Sequence, residues 1–171
     1  EQGADAIQIA LPYWYAVEED WYVRFFKEVA KAIEDIPISI YETPRTKKVL
    51  NIDEHRTIKE IAPNYIMVKS NPGTLGVTPE GYSALSEFAN VFVTENQWAD
   101  LFPKGARGAA SSIVYWNPKV IMQHWNDVQK QDWPAVKKRC AKLNQLVEFI
   151  EGHFGPKGFT DSSFDRLGGA S

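Results

Sequence analysis

The chain has 171 residues, enough to bury one respectable core, with 44% apolar residues and six tryptophans. A formal charge of −3 offers no large basic field, so nucleic acid and anionic membrane are not the expected partners. A single cysteine, Cys140, excludes an internal disulfide, and no run is long or apolar enough to span a bilayer or to act as a signal segment.

The chain opens on Glu1-Gln2-Gly3-Ala4-Asp5 directly before an apolar run. A Gly turn of this kind normally follows a helix, so the start reads as the middle of a longer gene product. The first strand is expected over Ala6–Ala10. A helix follows over Glu18–Glu34, with Tyr22, Phe25, Phe26, Val29 and Ile33 on one apolar stripe. Glu18, Glu19 and Asp20 are expected in its first turn, where the helix dipole favours acidic groups. Pro37–Tyr41 reads as the second strand and Ile52–Ala62 as the next helix, ended by Pro63-Asn64. Tyr65–Val68 is the third strand, closed by Lys69 and the loop Ser70-Asn71-Pro72-Gly73. Thr78-Pro79 caps a helix that runs to Phe88. Strands at Val91–Thr94 and, less sharply, Gly108–Val114 flank a short helical piece at Trp98–Phe102. Two longer helices follow at Pro118–Lys130 and Pro134–Gly152, and the second turns Leu143, Leu146, Val147 and Ile150 inward. Cys140 sits in its Lys/Arg-rich pattern and reads as a free thiol in a reducing cytoplasm. From Gly155 the tail is expected to be loose.

Strand–helix units recur every roughly 26 to 31 residues, which points to βαβ units and parallel strands. An open doubly wound sheet would show a Gly-rich phosphate turn, and neither G-x-G-x-x-G nor a Walker motif occurs. The alternative is a (β/α)8 barrel. Five strands make only the later part of one. In either sheet, Tyr41 and Lys69 end neighbouring strands at the same rim. A lysine at a buried strand end can be desolvated, which frees its lone pair to attack a carbonyl. Tyr41 taken alone reads as a packed aromatic; beside Lys69 it becomes a proton-transfer candidate. His55, His124 and His153 lack metal-ligand spacing, and all three are expected on solvated surfaces. No metal and no cofactor are expected.

Four segments, in order and at matching spacing, resemble the dihydrodipicolinate synthase/N-acetylneuraminate lyase family of class I aldolases. Gly3-Ala4-Asp5-Ala6 leading to Leu11-Pro12-Tyr13-Trp14 is similar to that family's fourth strand. Tyr41-Glu42-Thr43-Pro44 resembles its Tyr-Asn-x-Pro, Val68-Lys69-Ser70 its Schiff-base lysine strand, and Gly105-Ala106-Arg107-Gly108-Ala109-Ala110-Ser111 its small-residue eighth strand. The resemblance implies strands 4–8 of a (β/α)8 barrel over residues 1–117, C-terminal helices over 118–154 and a tail over 155–171. It implies a lysine-imine lyase or aldolase acting on pyruvate or another 2-keto acid and an aldehyde, in a cytoplasmic dimer or tetramer.

By the same resemblance Lys69 forms the imine, Tyr41 relays protons, and Ala110 and Ser111 leave room for the keto acid. Arg45 could grip a substrate carboxylate, and Arg45, Lys47 and Lys48 could equally be loop charge. Trp14, like Trp116, suits a substrate wall or a core or subunit contact. Glu42 stands where Asn is common, and Pro44-Arg45-Thr46-Lys47 lacks the glycine of the Arg-Thr-Gly that dihydrodipicolinate synthases carry. With Trp14, Tyr15, Tyr115 and Trp116 near the rim, these departures favour an aldolase or hydratase-aldolase over dihydrodipicolinate synthase proper. The family's second-strand carboxylate loop and third-strand tyrosine have no counterpart, so this piece alone is expected to be incomplete. Two rivals remain: a truncated non-catalytic homologue serving as an oligomer-forming module, and a phosphate-binding barrel isomerase, which would want a Gly-rich loop near the last strands.

Overall fold

A computed structural model of the chain describes residues 3–18, 20–70 and 79–170. The Asn71-Pro72-Gly73 turn, the Thr78 cap and Glu19 lie outside them. The chain forms two compact units, Glu1–Val93 with Lys104–Gly108, and Thr94–Pro103 with Ala109–Ser171.

The first unit is a parallel sheet in sequential order, β1 (Ile7–Ile9), β2 (Ile38–Tyr41), β3 (Tyr65–Lys69), β4 (Asn90–Phe92) and β5 (Ala106–Gly108). This is the order of five consecutive strands in a (β/α)8 barrel. Helices α1 (Trp21–Ile33), α2 (Ile52–Ile61) and α3 (Pro79–Leu85) fall between successive strands. Ile38, Ile40, Val68 and Val91 are fully buried, each contributing about 1.5–3 kcal/mol of apolar transfer. On α1, Tyr22 and Phe26 face inward as the stripe predicts. The helix starts later than expected, because the Trp21 N–H closes a turn onto the Glu18 carbonyl (3.0 Å). Glu18 and Asp20 therefore precede its first turn, which holds no acidic residue. Helix α2 begins on a capping box. Asn51 Oδ1 accepts from the Glu54 N–H (2.9 Å), and Glu54 Oε2 accepts from the Asn51 N–H (2.8 Å).

The second unit is helical: α4 (Trp98–Leu101), α5 (Pro118–Gln129), α6 (Trp133–Phe154) and α7 (Asp161–Ala170). On α6, Leu143 and Ile150 are buried and Leu146 and Val147 half-buried. The tail is not loose. Its helix α7 brings the buried Gly168 so close to Trp116 that a Cβ there would lie 2.6 Å from the indole nitrogen. Close backbone approach, which Gly permits, explains a helix where Gly and Ser content reads as coil. The strand expected over Gly108–Val114 lies earlier, at Ala106–Gly108, sharing only Gly108 with the expectation, and Ile113–Tyr115 forms a 3₁₀ helix.

Gly105 has φ +109°, and a Cβ there would meet Ser86 Cβ at 2.6 Å. Gly105→Ala is therefore expected to cost about 2 kcal/mol or more, combining left-handed strain with overpacking. Urea denaturation of the full-length protein measures it.

Candidate active site

Tyr41 and Lys69 stand opposite each other where β2 and β3 end. The ladder is continued by the Glu42 N–H, which donates to the Lys69 carbonyl (2.9 Å), and by the Ser70 N–H, which donates to the Phe92 carbonyl (2.8 Å). These bonds hold both side chains on one face. Lys69 Nζ lies 4.2 Å from the centroid of the Tyr41 ring, over its π face and not simply beside its hydroxyl. Both residues are half-buried, so the amine is partly shielded from solvent. An aromatic face at this distance stabilises positive charge on the nitrogen by about 0.5–2 kcal/mol.

Behind this pair a polar network is sealed from solvent. Glu42 is 3% exposed, and His55 and Tyr65 are fully buried. His55 Nε2 lies 3.5 Å from Glu42 Oε1, and its Nδ1 lies 3.0 Å from the Tyr65 hydroxyl. With the Nε2–H tautomer facing the carboxylate, Nδ1 accepts from the phenol. Burial raises the Tyr65 phenol well above its ordinary pKa, and the Glu42 charge adds to the rise. Tyr82 is pushed up to about 12, first by burial and then by Glu42, while a Ser70 side-chain hydrogen bond pulls it down. The expectation of a solvated His55 is wrong. The polar-looking position faces the sheet, where the buried carboxylate requires a partner.

Tyr41 and Lys69 share their rim with two loops, because parallel strands end on one side. Arg45 is exposed in the 3₁₀ turn Pro44–Thr46. Trp14 is exposed in the segment 12–17, which is neither helix nor strand, and its ring meets Tyr13 edge-on at 5.8 Å. Of the neighbouring cations, Lys47 Nζ donates to the Trp14 carbonyl (3.0 Å) and Lys48 Nζ pairs with Glu54 (2.6 Å).

In the second unit the Ser111 hydroxyl donates to the Glu95 carboxylate and accepts from the Val114 N–H (3.0 Å). The same Glu95 oxygen accepts from the Ile113 N–H (3.0 Å). Ser111 thus anchors the 3₁₀ turn, and Ala110 beside it is half-buried. Glu95 is 1% exposed and was not singled out by the sequence; its position two residues past an apolar run is the signal that could have found it. His124, expected on the surface, is fully buried and stacked on Trp98 at 4.7 Å. Its Nε2–H donates to the Glu95 carbonyl (3.0 Å). Burial lowers its pKa, partly offset by that carbonyl. Only His153 is exposed as expected. Cys140 Sγ is 3.7 Å from His124 Nε2, but that nitrogen already carries its proton towards the carbonyl and has no lone pair to deprotonate the thiol. Burial also pushes the Cys140 thiol up.

Residues 1–155 match the model of the dihydrodipicolinate synthetase family. The chain belongs to that family. Among its relatives are an uncharacterized DapA-like lyase of Pyrococcus abyssi, 24% identical over 147 residues, covering 84% of this chain and 50% of the relative. The 4-hydroxy-tetrahydrodipicolinate synthase of Bdellovibrio bacteriovorus is 24% identical over 153 residues, with 88% and 51% covered. In solved structures the same fold occurs in PhdJ bound to a substrate intermediate. That match has a TM-score of 0.75 at 20% identity and covers 90% of this chain and 49% of PhdJ. The chain thus spans about half the length of the curated dihydrodipicolinate synthetase relatives it matches. Among the described residues no helix is long and apolar enough to cross a membrane.

Tyr65→Phe removes the donor that faces the buried His55 Nδ1 and is expected to cost about 1–3 kcal/mol in urea unfolding. A loss below about 0.5 kcal/mol would show that the hydroxyl contributes nothing. Cys140 is expected to resist iodoacetamide at neutral pH in the folded protein, at least about tenfold against a free thiol, and to label fully in urea; mass spectrometry reads both states.

Proposed function

We propose that the protein carrying this chain is a lysine-imine lyase of the pyruvate-aldolase type. Lys69 Nζ adds to the keto carbon of a 2-keto acid, and loss of water gives a protonated imine. The bond between the third and fourth carbons then breaks, and its electron pair moves into the imine to form an enamine. Tyr41 takes the proton from the substrate hydroxyl, so the leaving fragment departs as an aldehyde. Protonation of the enamine and hydrolysis release pyruvate and regenerate the amine. Condensation is the same path reversed.

The observation that carries this reading is the registered apposition of Tyr41 and Lys69, with the nitrogen 4.2 Å from the ring centroid. A ring face at that distance favours the cationic imine as much as the ammonium. Family membership supports the same chemistry. Arg45, exposed on the loop that follows β2, is the candidate grip for a substrate carboxylate.

Within the family, the exposed Tyr13-Trp14-Tyr15 segment favours an aldolase or hydratase-aldolase whose aldehyde has a bulky or aromatic end. The second reading, 4-hydroxy-tetrahydrodipicolinate synthase, is favoured by curated relatives of that name. Condensation of pyruvate onto aspartate semialdehyde, set against cleavage of aromatic aldols, separates the two.

Borohydride trapping with pyruvate on the full-length protein is expected to leave a pyruvyl adduct on Lys69 that Lys69→Ala lacks. Tyr41→Phe should keep the adduct while kcat falls by roughly a hundredfold or more. Absence of any adduct with pyruvate or other 2-keto acids sinks the proposal.

A further inference from the structure

Lys47 holds a backbone conformation suited to glycine, with φ +58° and ψ −3°, where it closes the 3₁₀ turn Pro44–Thr46 through its N–H to the Pro44 carbonyl (3.2 Å). A residue with a Cβ is strained there. What it offers in exchange is its side chain. Lys47 Nζ crosses from the β2 loop to the β1 loop and donates to the Trp14 main-chain carbonyl at 3.0 Å. Its neighbour Lys48 turns away to Glu54 at 2.6 Å, so the contact is specific to position 47.

The segment it reaches needs holding. Tyr13, Trp14 and Tyr15 are 64%, 69% and 77% exposed, and nothing in 12–17 belongs to a helix or strand. The buried Leu11 anchors only the near end. Contiguous exposed aromatics mark binding surfaces, and an unfixed loop would have to be ordered by each incoming ligand, weakening binding.

We propose that Lys47 is a specificity-positioning residue. Its ammonium latches the Tyr13–Tyr15 loop through the Trp14 carbonyl and so fixes an aromatic wall for the aldehyde portion of the substrate. The substrate part of this proposal rests on the imine-lyase reading; the latch does not. Glycine at 47 relieves the backbone and releases the loop, whereas arginine keeps both strain and donor. A merely structural lysine would show the opposite pattern, since its loss should lower stability and spare substrate choice.

The test uses full-length protein labelled with 5-fluorotryptophan, the Trp14 resonance being assigned by its loss in Trp14→Phe. Lys47→Gly is expected to keep or raise Tm, and to shift and narrow the Trp14 line while the other tryptophan lines stay. It should also raise KM for 4-hydroxy-4-phenyl-2-oxobutanoate about three- to fivefold. KM for the methyl analogue 4-hydroxy-2-oxopentanoate and pyruvate trapping on Lys69 should be unchanged, and Lys47→Arg should restore the aromatic KM. An unmoved Trp14 line, or an equal rise in KM for both aldols, overturns the proposal. If the wild type neither traps pyruvate nor cleaves either aldol, the imine reading fails on its own, and the fluorine line alone decides whether the latch exists.

Discussion

The parallel ladder between β2 and β3 is the constraint on which the candidate chemistry depends. Only at the present register does Tyr41 face Lys69. A slip by one residue would send one side chain to the opposite face of the sheet. The register is reinforced beyond the strands, where the Glu42 N–H bonds the Lys69 carbonyl and the Ser70 N–H bonds Phe92. The residues immediately after Tyr41 and Lys69 thus hold the backbone while their own side chains are buried.

Each unit organises a strand-end loop around one buried carboxylate. In the first, Glu42 meets an imidazole from α2. In the second, Glu95 collects a hydroxyl and a backbone N–H through its side chain and an imidazole N–H through its carbonyl. Buried charge is tolerated only with such partners. Both sites show the partners arriving from helices or turns distant in sequence.

The strand order and the Tyr41–Lys69 pairing were legible because apolar β-branched runs end abruptly in titratable residues, and a regular strand–helix period leaves little choice of topology. The helical stripe of Tyr22 and Phe26 was legible for the same kind of reason. His55 and His124 were not. A histidine on an amphipathic helix looks like part of the wet face, and only the three-dimensional position of Glu42 or the Glu95 carbonyl shows that it points inward. The α7 helix was hidden by Gly168, which looks like a breaker until Trp116 is seen against it. The engagement of Lys47 with Trp14, across two loops, leaves no periodic trace at all.

Placing an acid at position 42 also has a price for how this sequence can diverge. Glu42 sits in a compartment that admits no solvent, and the ring of His55 is what faces it. A neutral amide at 42 would leave His55 paired with the Tyr65 hydroxyl, whereas losing the imidazole first would strand a buried carboxylate without its facing partner. Drift at the two sites is therefore ordered, acid before ring, and a homologue with an acid at 42 should keep a hydrogen-bonding partner at 55.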